Sequence, residues 1–163
     1  MGWSTPAFPP SFMFQMTDPL TLPRIFYVDT TLGNDGNSGR SIAAPWKTIA
    51  RVNAEVLHVG DRILFKCGET FPGQITPAYS GTIGAWIIYD CYGTGALPII
   101  DGSAASAIYI PVGTGLHHIR FNNLNCSGSL GVNRSVVRLY SHDLYIYNCD
   151  IHGSVAKGLC AKH

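Results

Sequence analysis

The chain has 163 residues, 46% of them hydrophobic and 13% charged, and 11 Lys+Arg against 10 Asp+Glu leave a formal net charge of +1. That length makes one domain or part of a larger one, and the balanced charge gives no electrostatic support to a nucleic-acid or anionic-membrane partner. No apolar run approaches the ~20 residues needed to span a bilayer, while 18 Gly and 10 Pro mark a turn-rich, strand-rich chain.

Residues 1–24 carry Pro6, Pro9, Pro10, Pro19 and Pro23 among Phe8, Phe12, Met13, Phe14 and Met16. Proline at that density forbids a continuous helix or a central strand, so a loosely ordered leader is expected ahead of a folded unit over 25–163. The start, Met1-Gly-Trp-Ser-Thr-Pro, lacks a basic segment and a long apolar core, and makes a poor secretory signal. Five cysteines argue against a fully paired disulfide framework. Either the chain works in a reducing compartment or it is part of a longer exported protein.

Ile25-Phe-Tyr-Val28 predicts the first strand. Asp29 to Gly39 follows, dense in residues that close Asx turns and accept left-handed backbone angles. Within it, Asp35-Gly-Asn37-Ser-Gly39 spaces oxygen donors like the front half of a calcium loop. The closing acidic residue is missing, since the chain runs into Ala44-Pro45-Trp46, so a structural turn is favoured over calcium. Residues 45–53 predict a short helix with Pro45 at its first position and Trp46, Ile49, Ala50 and Asn53 on one face, placed to lid the apolar end of whatever follows.

Arg62-Ile-Leu-Phe-Lys-Cys67 then overlays Trp86-Ile-Ile-Tyr-Asp-Cys91 at an offset of 24 (91 − 67), which sets Ile63 on Ile87, Phe65 on Tyr89 and Cys67 on Cys91. In-register parallel neighbours lie about 4.8 Å apart, within disulfide range. Cys67 and Cys91 are therefore expected as stacked neighbours, bonded or free according to compartment. Short strands are predicted in 97–103 and 107–110, with 136–140 above the latter, and a loop over 127–134.

The strongest pattern is His118-Ile-Arg-Phe-Asn-Asn-Leu-Asn-Cys126 and its echo Asp143-Leu-Tyr-Ile-Tyr-Asn-Cys-Asp-Ile151, offset by 25 (143 − 118). Apolar residues coincide at Ile119 and Leu144, Phe121 and Ile146, Leu124 and Cys149, and Cys126 and Ile151. Alternation is the strand signature, and a period in the twenties predicts stacked repeats. The chain stops soon after Ile151 with no capping segment visible, so an amino-terminal piece of a longer solenoid is expected. Such a piece would self-associate through its open carboxy-terminal rung or as a trimer.

Phe26-Tyr-Val-Asp29, Gly33-Asn-Asp35, Asn37-Ser-Gly39, Pro45-Trp-Lys-Thr-Ile49, Gly60-Asp61, Leu64-Phe65-Lys66, Gly68, Tyr92-Gly-Thr-Gly95 and Pro98-Ile-Ile-Asp-Gly-Ser103 together resemble the opening segment of right-handed parallel β-helix proteins of the pectate-lyase-like superfamily. The resemblance spans roughly 25–154 and implies an all-β, right-handed parallel β-helix with a short capping helix and about four rungs. The one departure is His58-Val59, where these proteins often place a proline before Gly60-Asp61. The superfamily includes polysaccharide lyases, glycoside hydrolases, epimerases and phage tailspikes, so it implies a polysaccharide partner and an extracellular or virion-associated setting. The scaffold does not choose the chemistry.

Asn123 and Asn148 are expected at the bend between two sheets, their amides bonded from rung to rung. Outward, Arg120, Asn122 and Asn125 should lie beside Tyr145, Tyr147 and Asp150, where phenol rings and polar groups suit a sugar. These six are the candidate substrate-binding residues. His117, His118, His142 and His152 raise the question of metal, but strand alternation sends His117 and His118 to opposite faces, so no cofactor is expected. A lyase needs a base and a cation, for which Lys157 or Arg120 with His152 or Asp150 are at hand. A glycosidase needs a carboxylate pair, and Asp143 and Asp150 should fall on different parts of a rung. Cys126, Cys149 and Cys160 suit small core positions. The function expected is that of a carbohydrate-active β-helix that binds, and in full length cleaves, a polysaccharide. The alternative is a non-catalytic tailspike or adhesin element.

Overall fold

The computed structural model describes residues 22–128 and 136–152. The proline-rich stretch up to residue 21, most of the 127–134 loop, Lys157 and Cys160 lie outside the described residues. Eleven strands and one helix follow in order: β1 (Ile25–Val28), α1 (Ile49–Ala54), β2 (Arg62–Lys66), β3 (Thr70–Pro72), β4 (Ile87–Tyr92), β5 (Ile99–Asp101), β6 (Ile108–Ile110), β7 (Ile119–Asn122), β8 (Asn125–Ser127), β9 (Val137–Leu139), β10 (Leu144–Tyr147) and β11 (Asp150–His152). They form a parallel β-helix of about three turns. The first sheet runs β1-β2-β4-β7-β10, the second β11-β8-β5-β3 and the third β6-β9, and every ladder between these strands is parallel.

Period-two alternation explains the core. In the first sheet Phe26, Ile63, Tyr89, Phe121 and Ile146 form one inward column, with Tyr89 stacked on Phe121 at 5.1 Å. Phe71, Ile100, Cys126 and Ile151 form a second. Pro72, which cannot donate to a ladder, sits on β3 at the edge of its sheet, where proline is tolerated. Burial pushes the Cys126 thiol up to about 12, so it fills space as an inert hydrophobe.

The lid differs from the sequence expectation. The helix begins after Thr48, whose hydroxyl accepts from Arg51 N, and it buries Ile49 and Val52 while Ala50 is exposed. Pro45 and Trp46 precede it. Trp46 makes a parallel bridge to Val28 and stacks on Phe26 at 4.5 Å. The segment 39–46 thereby pairs with β1, through Tyr27 N to Gly39 O, Trp46 N to Tyr27 O and Asp29 N to Trp46 O. An exposed sheet edge is an aggregation hazard, and closing it outweighs the helical pattern of this stretch. Close approach also explains Gly39: at φ +70, a Cβ there would stand 2.5 Å from the Trp46 indole.

Three carboxylates hold the lid region. Asp61, fully buried, takes both Arg24 Nε and Nη2, the latter at 2.6 Å, and accepts from the backbone N–H groups of Arg24 and His58. Asp35 accepts from Lys47 N, Thr48 N and the Thr48 hydroxyl, so both oxygens of its carboxylate serve the chain itself. Asp29 meets Lys66 Nζ at 2.7 Å and the N–H groups of Thr31 and Leu32. Burial opposes the charged form of Asp29, but Lys66 and those N–H groups outweigh it and hold the carboxyl low. At Asp35 burial is likewise outweighed, by the Thr48 hydroxyl and the Lys47 and Thr48 N–H groups.

Register corrects another expectation. β2 pairs with β4 at an offset of 26 (88 − 62), so Phe65 faces Cys91 and Ile63 faces Tyr89. Cys67 lies beyond the end of β2, and both thiols are free. A two-residue slip leaves every inward side chain inward, so the alternation that identified these strands could not fix their pairing. Burial, followed by the hydrogen bond with Cys67, pushes the Cys91 thiol up to about 12.

The rung-to-rung amide ladder at the bend is present, with Asp90 as a third member. Asn148 Nδ2 donates to Asn123 Oδ1 at 2.7 Å, and Asn123 Nδ2 donates to Asp90 Oδ1 at 2.8 Å. Both asparagines sit in the left-handed region, at φ 51 and 49.

Two outcomes follow. Asn123→Ala loses the ladder and places a Cβ-bearing, non-bonding residue in a left-handed corner. A cost of about 2–3 kcal/mol is expected in urea unfolding, of which Asn123→Gly recovers about 1 kcal/mol; equal midpoints for the two variants would contradict this origin. Asp29 and Asp35 have folded pKa values below their unfolded ones, so their contribution is complete above the unfolded value of about 3.9 and is lost as pH falls through the lower folded value. Urea unfolding of Asp35→Asn should show a deficit at neutral pH that shrinks on acidification below about pH 4.

Candidate functional site

The outer face of the first sheet collects the side chains that alternation turns away from the core. On β7 these are Arg120 and Asn122; directly across on β10 are Tyr145 and Tyr147, exposed at 47% and 69%. Four of the six sequence-predicted residues thus share a face. The other two, Asn125 and Asp150, pair with each other in the second sheet, beyond the Asn123 and Asn148 bends. Asp150 there meets His152 Nε2 at 2.9 Å.

The centre of the face is Trp86, which the sequence reading did not single out. It immediately precedes β4, and the pairing of Ile87 with Ile119 sets it beside His118. Its ring lies 4.8 Å from the His118 ring and 5.1 Å from the Tyr145 ring, both edge-on. The Arg120 guanidinium carbon lies 5.3 Å from the Trp86 centroid and 5.7 Å from that of Tyr145. Such contacts contribute about 0.5–1 kcal/mol at exposed sites. Among the described residues Arg120 has no carboxylate partner, whereas Arg51 and Arg62 have one each and Arg24 and Lys66 two each. The signal for Trp86 was hidden by spacing, because β4 to β7 spans 32 residues (119 − 87) where β7 to β10 spans 25 (144 − 119).

The histidines also depart from expectation. His117 and His118 do not point to opposite faces: their Nδ1 atoms are 2.7 Å apart. Alternation holds only for extended backbone, and His118 has φ 55. The His117 backbone is held by Ser80 Oγ and by Gly81 N. His142 packs its ring 5.4 Å from His117 and has Asp143 at 3.9 Å. Among the described residues no group of three or more His, Cys, Asp or Glu is placed to hold a metal ion.

Farther along, Asp90 joins Arg62 and Asn122, each at 3.4 Å. The Asn122 and Asn125 side-chain oxygens are buried without a protein partner. Asp143 occupies the corner entering β10 at φ 50 and Asp150 begins β11, so the two carboxylates stand on different parts of the rung, as expected. A separate cavity of ≈ 250 Å³ lies by the lid, lined by Thr30, Lys47, Thr48, Ile49, Thr70, Phe71 and Pro72. No carboxylate, imidazole or thiol lines it. The chemically equipped surface is the Trp86 face: aromatic rings, the Arg120 guanidinium and imidazoles, suited to holding a ligand with apolar faces and hydroxyl edges.

No protein-family model matches the chain. Over 51 residues, 30% of this chain and 3% of the relative, the sequence is 41% identical to lacto-N-biosidase of Bifidobacterium longum subsp. longum. The fold is similar to that of GH136 lacto-N-biosidase from Eubacterium ramulus. Its selenomethionine derivative superposes with a TM-score of 0.68 at 21% identity, over 83% of this chain and 28% of that one. The native protein superposes with a TM-score of 0.65 at 21% identity, over 80% and 28%. This chain therefore spans 28% of the solved structures it resembles, and the likeness establishes the parallel β-helix.

Proposed function

We propose that this chain is part of a glycan-acting β-helix protein of the glycoside hydrolase kind, with the Trp86 face of its first sheet in contact with saccharide. One observation carries the reading: the 41% identical stretch is shared with a lacto-N-biosidase, the same activity named for the solved structures whose fold the chain resembles. Sequence and shape are separate measures, and they converge. Within the pectate-lyase-like architecture both β-elimination and hydrolysis occur, and both relatives named here are glycosidases, which favours hydrolysis. Hydrolysis requires a carboxylate pair flanking the scissile bond. β-Elimination would instead require a base and a cation for the enolate. We assign the face to ligand contact and leave the carboxylate pair unassigned.

The reading is tested by incubating the chain with a glycan panel that includes lacto-N-biose-terminated oligosaccharides, with and without calcium. Retention, reducing ends and the ultraviolet absorbance of unsaturated uronides are followed together. Expected are retention on the lacto-N-biose-terminated members, no unsaturated product under either condition, and reducing ends wherever bond cleavage occurs. Unsaturated product would replace hydrolysis by lyase chemistry, and absence of retention on every glycan would overturn the glycan reading.

A further inference from the structure

Two imidazole Nδ1 atoms at 2.7 Å, as in His117 and His118, cannot both carry protons and cannot both be bare: the first arrangement sets two N–H donors head to head and the second two lone pairs. One proton lies between them. The ring that donates through Nδ1–H has a bare Nε2, which accepts; the ring that accepts at Nδ1 carries its proton on Nε2, which donates. The pair thus offers one acceptor and one donor, and neither Nε2 has a protein partner among the described residues. His118 is also the ring set edge-on against Trp86.

We infer that Trp86 and the His117–His118 pair form a subsite for a neutral pyranose, resting on the glycan reading above. The apolar face of the sugar stacks on Trp86, flanked by Tyr145. Neighbouring ring hydroxyls, each able to donate or accept, meet the complementary Nε2 atoms. His117 is a positioning residue through its bond to His118, and Ser80 fixes its backbone. The complementarity comes from the shared proton, which leaves one Nε2 bare and the other protonated. His142 packs on His117, with Asp143 behind it at the entry to the β10 rung, while Tyr145 on β10 and Arg120 on β7 lie against Trp86. The segment carrying Ser80 and Trp86 faces the pair with a hydroxyl and an indole.

The test is calorimetric titration of the whole chain with two probes, a neutral lacto-N-biose-terminated oligosaccharide and an oligogalacturonate. The neutral probe should bind in preference to the oligogalacturonate. Trp86→Ala should weaken its binding about tenfold or more. His118→Asn, a residue type that tolerates left-handed backbone, should weaken it about tenfold, the weight of a strong hydrogen bond. Nitrogen-15 shifts of the labelled imidazoles should show one Nδ1–H and one Nε2–H tautomer. The same tautomer in both rings, or preference for the oligogalacturonate, would overturn the subsite. Neutral binding unaffected by Trp86→Ala would overturn the subsite and the contact of saccharide with the Trp86 face alike; binding weakened by Trp86→Ala but unchanged by His118→Asn would overturn the subsite alone, and no binding of either probe would remove the glycan reading as well.

Discussion

A left-handed backbone at the corners of the coil is the constraint on which the rest depends. His118 and Asp143 lead into the first sheet at φ 55 and 50, and Asn123 and Asn148 lead out of it at φ 51 and 49. Each turns an extended strand sharply without a glycine, at a cost of about 1–2 kcal/mol per residue. The two asparagines offset that cost by bonding to each other and to Asp90. Because the corners recur 25 residues apart, β10 lies on β7 in register and β11 on β8. Moving one corner by a residue would turn the strand over and expose Phe121 or Ile146.

Those corners also define the chemistry of the surface. They divide the outward residues between two planes, so Arg120, Asn122, Tyr145 and Tyr147 face one way while Asn125 and Asp150 face another. The His118 corner does something a strand cannot: it turns two consecutive side chains toward each other, bringing the imidazoles of His117 and His118 together beside Trp86. In a strand-built solenoid most neighbours come from the rungs above and below. Here a site is assembled both that way, in the Trp86, Arg120 and Tyr145 contacts, and by sequence adjacency at a corner.

What the sequence made legible is what period-two alternation and equal spacing can encode. The 118 and 143 stretches share length and character, and their pairing, the inward columns and the asparagine ladder all follow. Where spacing is unequal the pattern misleads. Overlaying residues 62–67 on 86–91 gave an offset of 24 and stacked Cys67 on Cys91. The actual offset is 26, and alternation cannot distinguish the two because both keep Ile63, Phe65, Ile87 and Tyr89 inward. The 32-residue step from β4 to β7 hid Trp86 for the same reason. The lid failed differently: helical spacing in residues 45–53 was real, but the unpaired edge of β1 drew Trp46 into a bridge and delayed the helix to Ile49. The His117–His118 contact was illegible because it depends on a positive φ at a residue with a side chain, which no periodicity reports.

The central claim is that ligand sits on the outer face of the first sheet around Trp86. It is tested most directly by fluorine NMR of the chain labelled with 5-fluorotryptophan, with resonances assigned by single Trp→Phe variants and titrated with a binding oligosaccharide. The Trp86 resonance should move on addition of ligand, while that of Trp46, fully buried under the lid, should not. A Trp86 resonance that stays fixed while binding is detected by another method would place the ligand elsewhere on the coil and contradict the account.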